Sequence, residues 1–267
     1  MNTIKLKYKI IIMAICFFVC STLPSLKAFN DIEYVIYERV MARIDRHLKA
    51  AEGEAKGRLL SKPIHIPYLR KLKLTDDIDD KRLFSVDPEK PEESTHALAL
   101  AICAADQKRV ASFLDFVADP KDPSWRVWGF RQYFNMAHVA LDPAFPTVLN
   151  IDEKGRLDVV KLIGTAGFDF NYLGDGTYTN PPLAAGFVSE KPVKGFMERQ
   201  ALALLLGADP NIVGSGFDAV MSTKVNLSKC LKLAYEMRDR KEVEQLKLSK
   251  YVREEFERLD ARKGAAR

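Results

Sequence analysis

The side chains best able to do chemistry in this chain are four histidines, His47, His65, His96 and His138, and two cysteines outside the N-terminal stretch, Cys103 and Cys230. No His-Glu-x-x-His helix motif and no cysteine pair beside a histidine occurs, so neither common zinc arrangement is encoded. The run Thr75-Asp76-Asp77-Ile78-Asp79-Asp80 is rich enough in carboxylates for calcium. It lacks the glycine and closing glutamate of an EF-hand loop, and a solvated acidic face is the plainer reading. There is no Gly-x-Ser-x-Gly elbow. Gly164-Thr165-Ala166-Gly167 is too short for a phosphate loop and reads as a helix end. His96 and His138 fall in helix-start motifs, where an imidazole serves by hydrogen-bonding an adjoining turn. Cys103 and Cys230 sit in apolar helical patterns, which favours two buried free thiols over a disulfide. No cofactor, metal or catalytic residue is expected.

The chemistry that remains is recognition. Trp125, Arg126, Trp128, Arg131 and Tyr133 crowd one connecting segment. Tryptophan, tyrosine and arginine dominate binding hot spots because they join a large buried area to directed polar contacts. The competing reading is that both tryptophans simply pack against the N-terminal segment.

These residues have to be held by helices, and helical patterns cover much of the chain after its start. There, Met1 to Lys9 carries only positive charge and Ile10 to Cys20 is an unbroken apolar run, the layout of an export signal ending after Ala28. Cleavage there would make the protein secreted or periplasmic, with no membrane insertion afterwards; an uncleaved anchor is the alternative. Residues 1–28 hold four lysines and no acids, so 41 basic residues become 37 against 36 acidic ones, a mature charge of about +1. That near-neutrality gives no support to a nucleic-acid partner.

Residues 29–60 read as an N-terminal helix, with Ile32, Val35, Ile36, Val40, Ile44 and Leu48 at helical spacing. Residues 61–94, with Pro63, Pro67, Pro88 and Pro91, read as an irregular segment or linker.

From residue 95 one ending recurs: Val117-Ala118-Asp119-Pro120-Lys121, Gly167-Phe168-Asp169-Phe170-Asn171 and Gly207-Ala208-Asp209-Pro210-Asn211. Each follows an apolar helix, and the glycines suit a left-handed helix end. Upstream of each lies a helix-start motif: His96-Ala97-Leu98-Ala99, Asn135-Met136-Ala137-His138 and Asn180-Pro181-Pro182-Leu183. This set resembles the ankyrin-repeat family, whose unit opens T-P-L-H-x-A and recurs about every 33 residues. The repeated aspartates stand 50 and 40 residues apart, so two insertions are needed, Asp142 to Lys154 and Gly186 to Arg199, both at the turn between the paired helices. A divergent fourth unit around Leu231, Leu233, Ala234, Val243, Leu246, Leu248 and Val252 brings the domain to residue 250, and a charged tail, 251–267, follows.

The resemblance implies an all-α ankyrin-repeat solenoid with an N-terminal helical extension, working as a monomer by binding another protein. It also implies that connections between units project as hairpins. Tyr172, Asp175 and Tyr178 thereby become a second candidate contact cluster, and the two insertions a third. Two other classes stay open: an envelope-stabilising protein acting through its N-terminal extension, and a hydrolase hidden in the aromatic connection and insertions.

Overall fold

A computed structural model describes residues 23–129, 132–141, 156–176, 181–185, 195–212 and 219–265, and the chain is mostly helical. Helix α1 spans Leu23–Ala50. Its buried stripe is Tyr37, Val40, Met41, Ile44 and Leu48, the three-and-four spacing of one helix face. Val35, expected on that stripe, is 44% exposed and lies off it. The expected cleavage point after Ala28 lies inside α1, and residues 1–22 lie outside the described residues. Among the described residues no helix is long and apolar enough to cross a membrane.

The expected N-terminal helix is divided. Gly53, at φ 51°, turns the chain between α1 and α2, Glu54–Leu60. The proline-containing segment then lies on α1 and the helices that follow. β1, Ile64–His65, pairs antiparallel with β2, Ser94–Thr95, while α3, Ile66–Lys71, and α4, Asp80–Leu83, bury Tyr68, Leu69 and Leu83. Polar bonds from one side of α1 hold the segment. Arg39 donates to the carbonyls of Lys73 (3.1 Å), Leu74 (2.7 Å) and Asp76, and Arg43 grips both Asp80 oxygens at 2.6 and 2.7 Å. His47 Nε2 adds a third contact to Asp80 at 2.9 Å. The acidic run is therefore not simply a solvated face: Asp80 is bound to α1, and Asp79 caps α4 by accepting the Lys81 N–H.

Three helix pairs follow: α5, Ala97–Cys103, with α6, Gln107–Leu114; α7, Met136–Leu141, with α8, Arg156–Thr165; and α9, Pro182–Ala185, with α10, Phe196–Leu205. First helices contact first helices and second helices contact second helices, giving two rows. Small residues permit the close approach in the first row: Ala97, Ala99, Ala101, Ala137 and Ala140 are all buried. α11, Ala219–Asp239, packs on α10, and α12, Lys250–Ala265, packs on α11. The charged stretch after Tyr251 is thus not a tail but a helix that buries Val252 and Phe256. Val243, Leu246 and Leu248, read at helical spacing, lie in the non-helical link between α11 and α12.

The three Asp-containing turns share one bond. Asp119, Asp169 and Asp209 each accept the main-chain N–H two residues on, from Lys121 (2.9 Å), Asn171 (2.8 Å) and Asn211 (3.0 Å). The helix ends before them differ. Gly167 (φ 96°) and Gly207 (φ 109°) take the left-handed conformation, allowing Phe168 and Ala208 to donate back to Ile163 and Ala203. Val117 stands at the first position, and there the chain closes with shorter bonds, Phe116 to Phe113 and Val117 to Leu114.

Candidate functional site

The two connections between successive helix pairs form a small sheet. β3, Val127–Gly129, pairs with β4, Gln132–Phe134, and β4 pairs in turn with β5, Asp175–Gly176, so β4 is central and all pairings are antiparallel. Side chains alternate across a strand, and partners in register share a face. Val127 and Phe134 are partners and both are buried. The next register pair, Trp128 and Tyr133, therefore belongs to the opposite face. Tyr133 is 37% exposed, Trp128 is half-buried, and their ring centroids lie 4.8 Å apart at 75°. Asp175 is the register partner of Tyr133 on its other side, so Trp128, Tyr133 and Asp175 occupy one row across three strands.

Arg126 is two residues before Trp128, and its guanidinium stacks 5.1 Å from the Tyr172 ring centroid. The residues singled out in the sequence thus fall into two contacts on this sheet, the Trp128–Tyr133 pair, with Asp175 in register beside Tyr133, and the Arg126–Tyr172 stack, whose tyrosine packs near His138. Trp125 does not join them. It closes the Pro123–Trp125 turn at 5% exposure and is a core residue. Arg131 and Tyr178 lie outside the described residues, as do the insertion 142–154 and residues 186–194. Phe196 to Arg199, the end of the second insertion, form the first turn of α10, with Phe196 and Arg199 buried.

Three polar residues carry this patch. His96, which opens α5, donates its Nε2 hydrogen to the Arg126 carbonyl at 2.7 Å, fixing β3 against the first helix pair. Burial holds the His96 pKa below the ordinary histidine value, which keeps the ring neutral. Asn135 caps α7, its Oδ1 accepting from the Ala137 and His138 amides, and its Nδ2 donates to the Asp169 carbonyl at 2.7 Å. His138 Nδ1 contacts the same Asn135 oxygen at 2.9 Å, and its ring stands between Phe134 (4.8 Å) and Tyr172 (6.0 Å). Sequence reading placed both histidines structurally but did not single out Asn135. Its signal was present, an asparagine directly before an apolar helix.

The densest convergence of ionisable groups lies elsewhere, in a groove of about 580 Å³ between α1 and α6. Arg109 donates to both Glu38 oxygens (2.9 and 3.0 Å) and to Asp106 (2.7 Å), and the Tyr37 hydroxyl donates to Asp106 at 2.9 Å. Burial opposes ionisation of Asp106, but the Arg109 amide, the Arg109 guanidinium and the Tyr37 hydroxyl outweigh it and hold the pKa low. The carboxylates are committed to one guanidinium, so the group acts as an ion-pair lock between helices. Among the described residues, no set of three His, Cys, Asp or Glu side chains converges as metal ligands.

The sequence matches no protein-family model, and it has no significant match among curated proteins or solved structures.

Proposed function

We propose that this chain is an exported, non-enzymatic scaffold of the ankyrin-repeat type that binds another protein through the Trp128–Tyr133–Asp175 row and the Arg126–Tyr172 stack. One observation carries the proposal: β3 and β4 send Val127 and Phe134 into the core while Trp128 and Tyr133 stand on the opposite face, Tyr133 exposed and Trp128 half-buried. An aromatic pair with its tyrosine exposed, on the sheet that also carries the Arg126–Tyr172 stack, has the composition of an interface hot spot. The repeat reading draws support from the three matching Asp turns and from the two rows of helices. The export reading rests on Lys5, Lys7, Lys9 and the apolar run after them.

The test is capture of partners from envelope and culture-medium fractions by the wild type and by Trp128→Ala/Tyr133→Ala, with circular dichroism to verify folding. A defined protein retained by the wild type and lost by the folded variant supports the proposal; equal retention by both overturns it. A second reading, contact through the N-terminal extension, is favoured by Tyr34 and Val35, which α1 leaves 46% and 44% exposed. In that case Tyr34→Ser/Val35→Ser, rather than the β-sheet variant, abolishes capture.

A further inference from the structure

We infer that His96 is an acid-operated latch on the candidate binding sheet: seated, it holds the start of β3 against α5, and in acid its ring leaves that seat and loosens β3 while the rest of the fold stands. The inference rests on the protein-binding reading above for its consequence, a weaker grip on the partner in acid; the latch itself is tested without a partner. The imidazole is buried, and because a carbonyl only accepts, the 2.7 Å contact to the Arg126 carbonyl fixes a hydrogen on Nε2. Nδ1 is buried as well and makes no hydrogen bond. A second proton would therefore put an N–H and a full charge where no acceptor is bonded. Turning the ring out to water relieves that cost and gives up the bond that ties the Arg126 main chain to the first helix pair.

The surroundings of the ring do not compensate such a charge. α5 itself, Ala97–Cys103, is apolar and buried throughout. Beyond α2, the main chain of Ser61 and Lys62 favours the charged ring, but burial outweighs it. The Lys62 ammonium lies over the Phe84 ring at 4.5 Å, and the Arg126 guanidinium is stacked on Tyr172. Beside β2, His65 and Glu93 bond each other at 3.3 Å. On α6, Asp106 and Arg109 are bound into the lock with Glu38, and on α7 His138 is held by Asn135. Among the described residues no carboxylate lies within ion-pair reach of His96. The segment it releases is short: β3 starts at Val127, directly after the latched carbonyl, and both the Arg126–Tyr172 stack and the Trp128 ring hang from it.

The experiment follows the full chain by imidazole NMR and by amide hydrogen exchange from about pH 7.5 down to about pH 5, across the ordinary histidine range. At the upper end His96 is expected as the neutral tautomer with its hydrogen on Nε2. Below about pH 6.5 the protection of β3 and β4 amides, corrected for intrinsic exchange, should fall by up to about tenfold per pH unit, while α10 amides keep theirs. His96→Gln can still donate to the Arg126 carbonyl but takes up no proton, so it should flatten this profile. If that variant does not fold, the wild-type contrast between β3 and α10 decides the matter alone. Protection that is level with pH, that falls in β3 and α10 together, or that falls as steeply in folded His96→Gln overturns the latch. Partner capture that depends on Trp128 and Tyr133 at neutral pH is read separately, so the latch can fail while the protein-binding reading stands, and the reverse.

Discussion

Asn171 accepts the main-chain N–H of Asp209 at 2.7 Å, and through its Nδ2 it donates to the Gly207 carbonyl at 2.9 Å. One side chain thereby satisfies two backbone groups of the next turn, and Asn135 makes a matching bond to the Asp169 carbonyl one unit earlier. Asn171→Ala removes both bonds at once. The expected loss is about 2–3 kcal/mol of unfolding free energy, because a part-buried donor and acceptor are left without partners. Urea denaturation with an unchanged slope checks it; a loss below about 0.5 kcal/mol would show that water replaces the amide without cost.

Ala105 ends α5 in the left-handed conformation at φ 52°, with Asp106 donating back to Ala101 at 3.0 Å. Gly207 occupies the same kind of position, but there a Cβ would also meet the Lys247 carbonyl at 3.0 Å. Ala105→Gly should stabilise the protein by about 1 kcal/mol and Gly207→Ala should destabilise it by more than about 1 kcal/mol. The thermal midpoint reports opposite shifts for two changes that swap the same pair of residues.

The two tryptophans should separate stability from binding. Trp125→Ala is expected to cost about 3–5 kcal/mol, since it empties a core site. Trp128→Ala should cost about 1 kcal/mol, the scale of one cross-strand aromatic pair, while weakening partner capture. Denaturation and capture measured on both variants would refute this assignment if Trp128 proved the costlier residue to lose.

His96 makes folding sensitive to acid. Its folded pKa is lowered by burial, whereas in the unfolded chain it takes a proton below about pH 6.5. The stabilising difference is therefore complete above that pH and is lost as pH falls toward the folded value, at up to about 1.4 kcal/mol per pH unit. Asp80 and Asp106, also lowered, act in the same direction at more acid pH, Asp80 through its bond from Arg43. Urea midpoints between pH 7 and pH 5 should fall for the wild type, and the difference between wild type and His96→Gln should narrow over that interval.

Burial, with Glu198 adding to it, pushes the Cys230 thiol up to about 12, so thiolate is scarce at neutral pH. Native protein should react with a disulfide reagent at Cys230 only as fast as it unfolds, and fast labelling there without denaturant would contradict its buried position.

Local chemistry made much of this fold legible beforehand. The Asp turns could be read from the sequence because a carboxylate two residues before an amide and a glycine at a helix end act within a few bonds of themselves. The helices could be read because apolar spacing reports a buried face directly. Where several faces are in play the same spacing misleads: Val35 fits the period of α1 but misses its buried stripe, and Val243, Leu246 and Leu248 fit a helix that does not form.

Residue type was enough to nominate Trp125, Arg126, Trp128, Arg131 and Tyr133 as contact residues, while Tyr172, Asp175 and Tyr178 were nominated by the resemblance to ankyrin repeats. Which of them share a face was decided only in three dimensions. Strand register sets that choice: a shift of one residue in β3 would exchange Val127 for Trp128 at the core, and no local preference distinguishes the two. The pairing of β5 with β4, across about forty intervening residues, joins Asp175 to the row, and the His96–Arg126 and Asn135–Asp169 bonds span 30 and 34 residues. Short-range chemistry determined the turns and helices; long-range packing and register determined the surface they present.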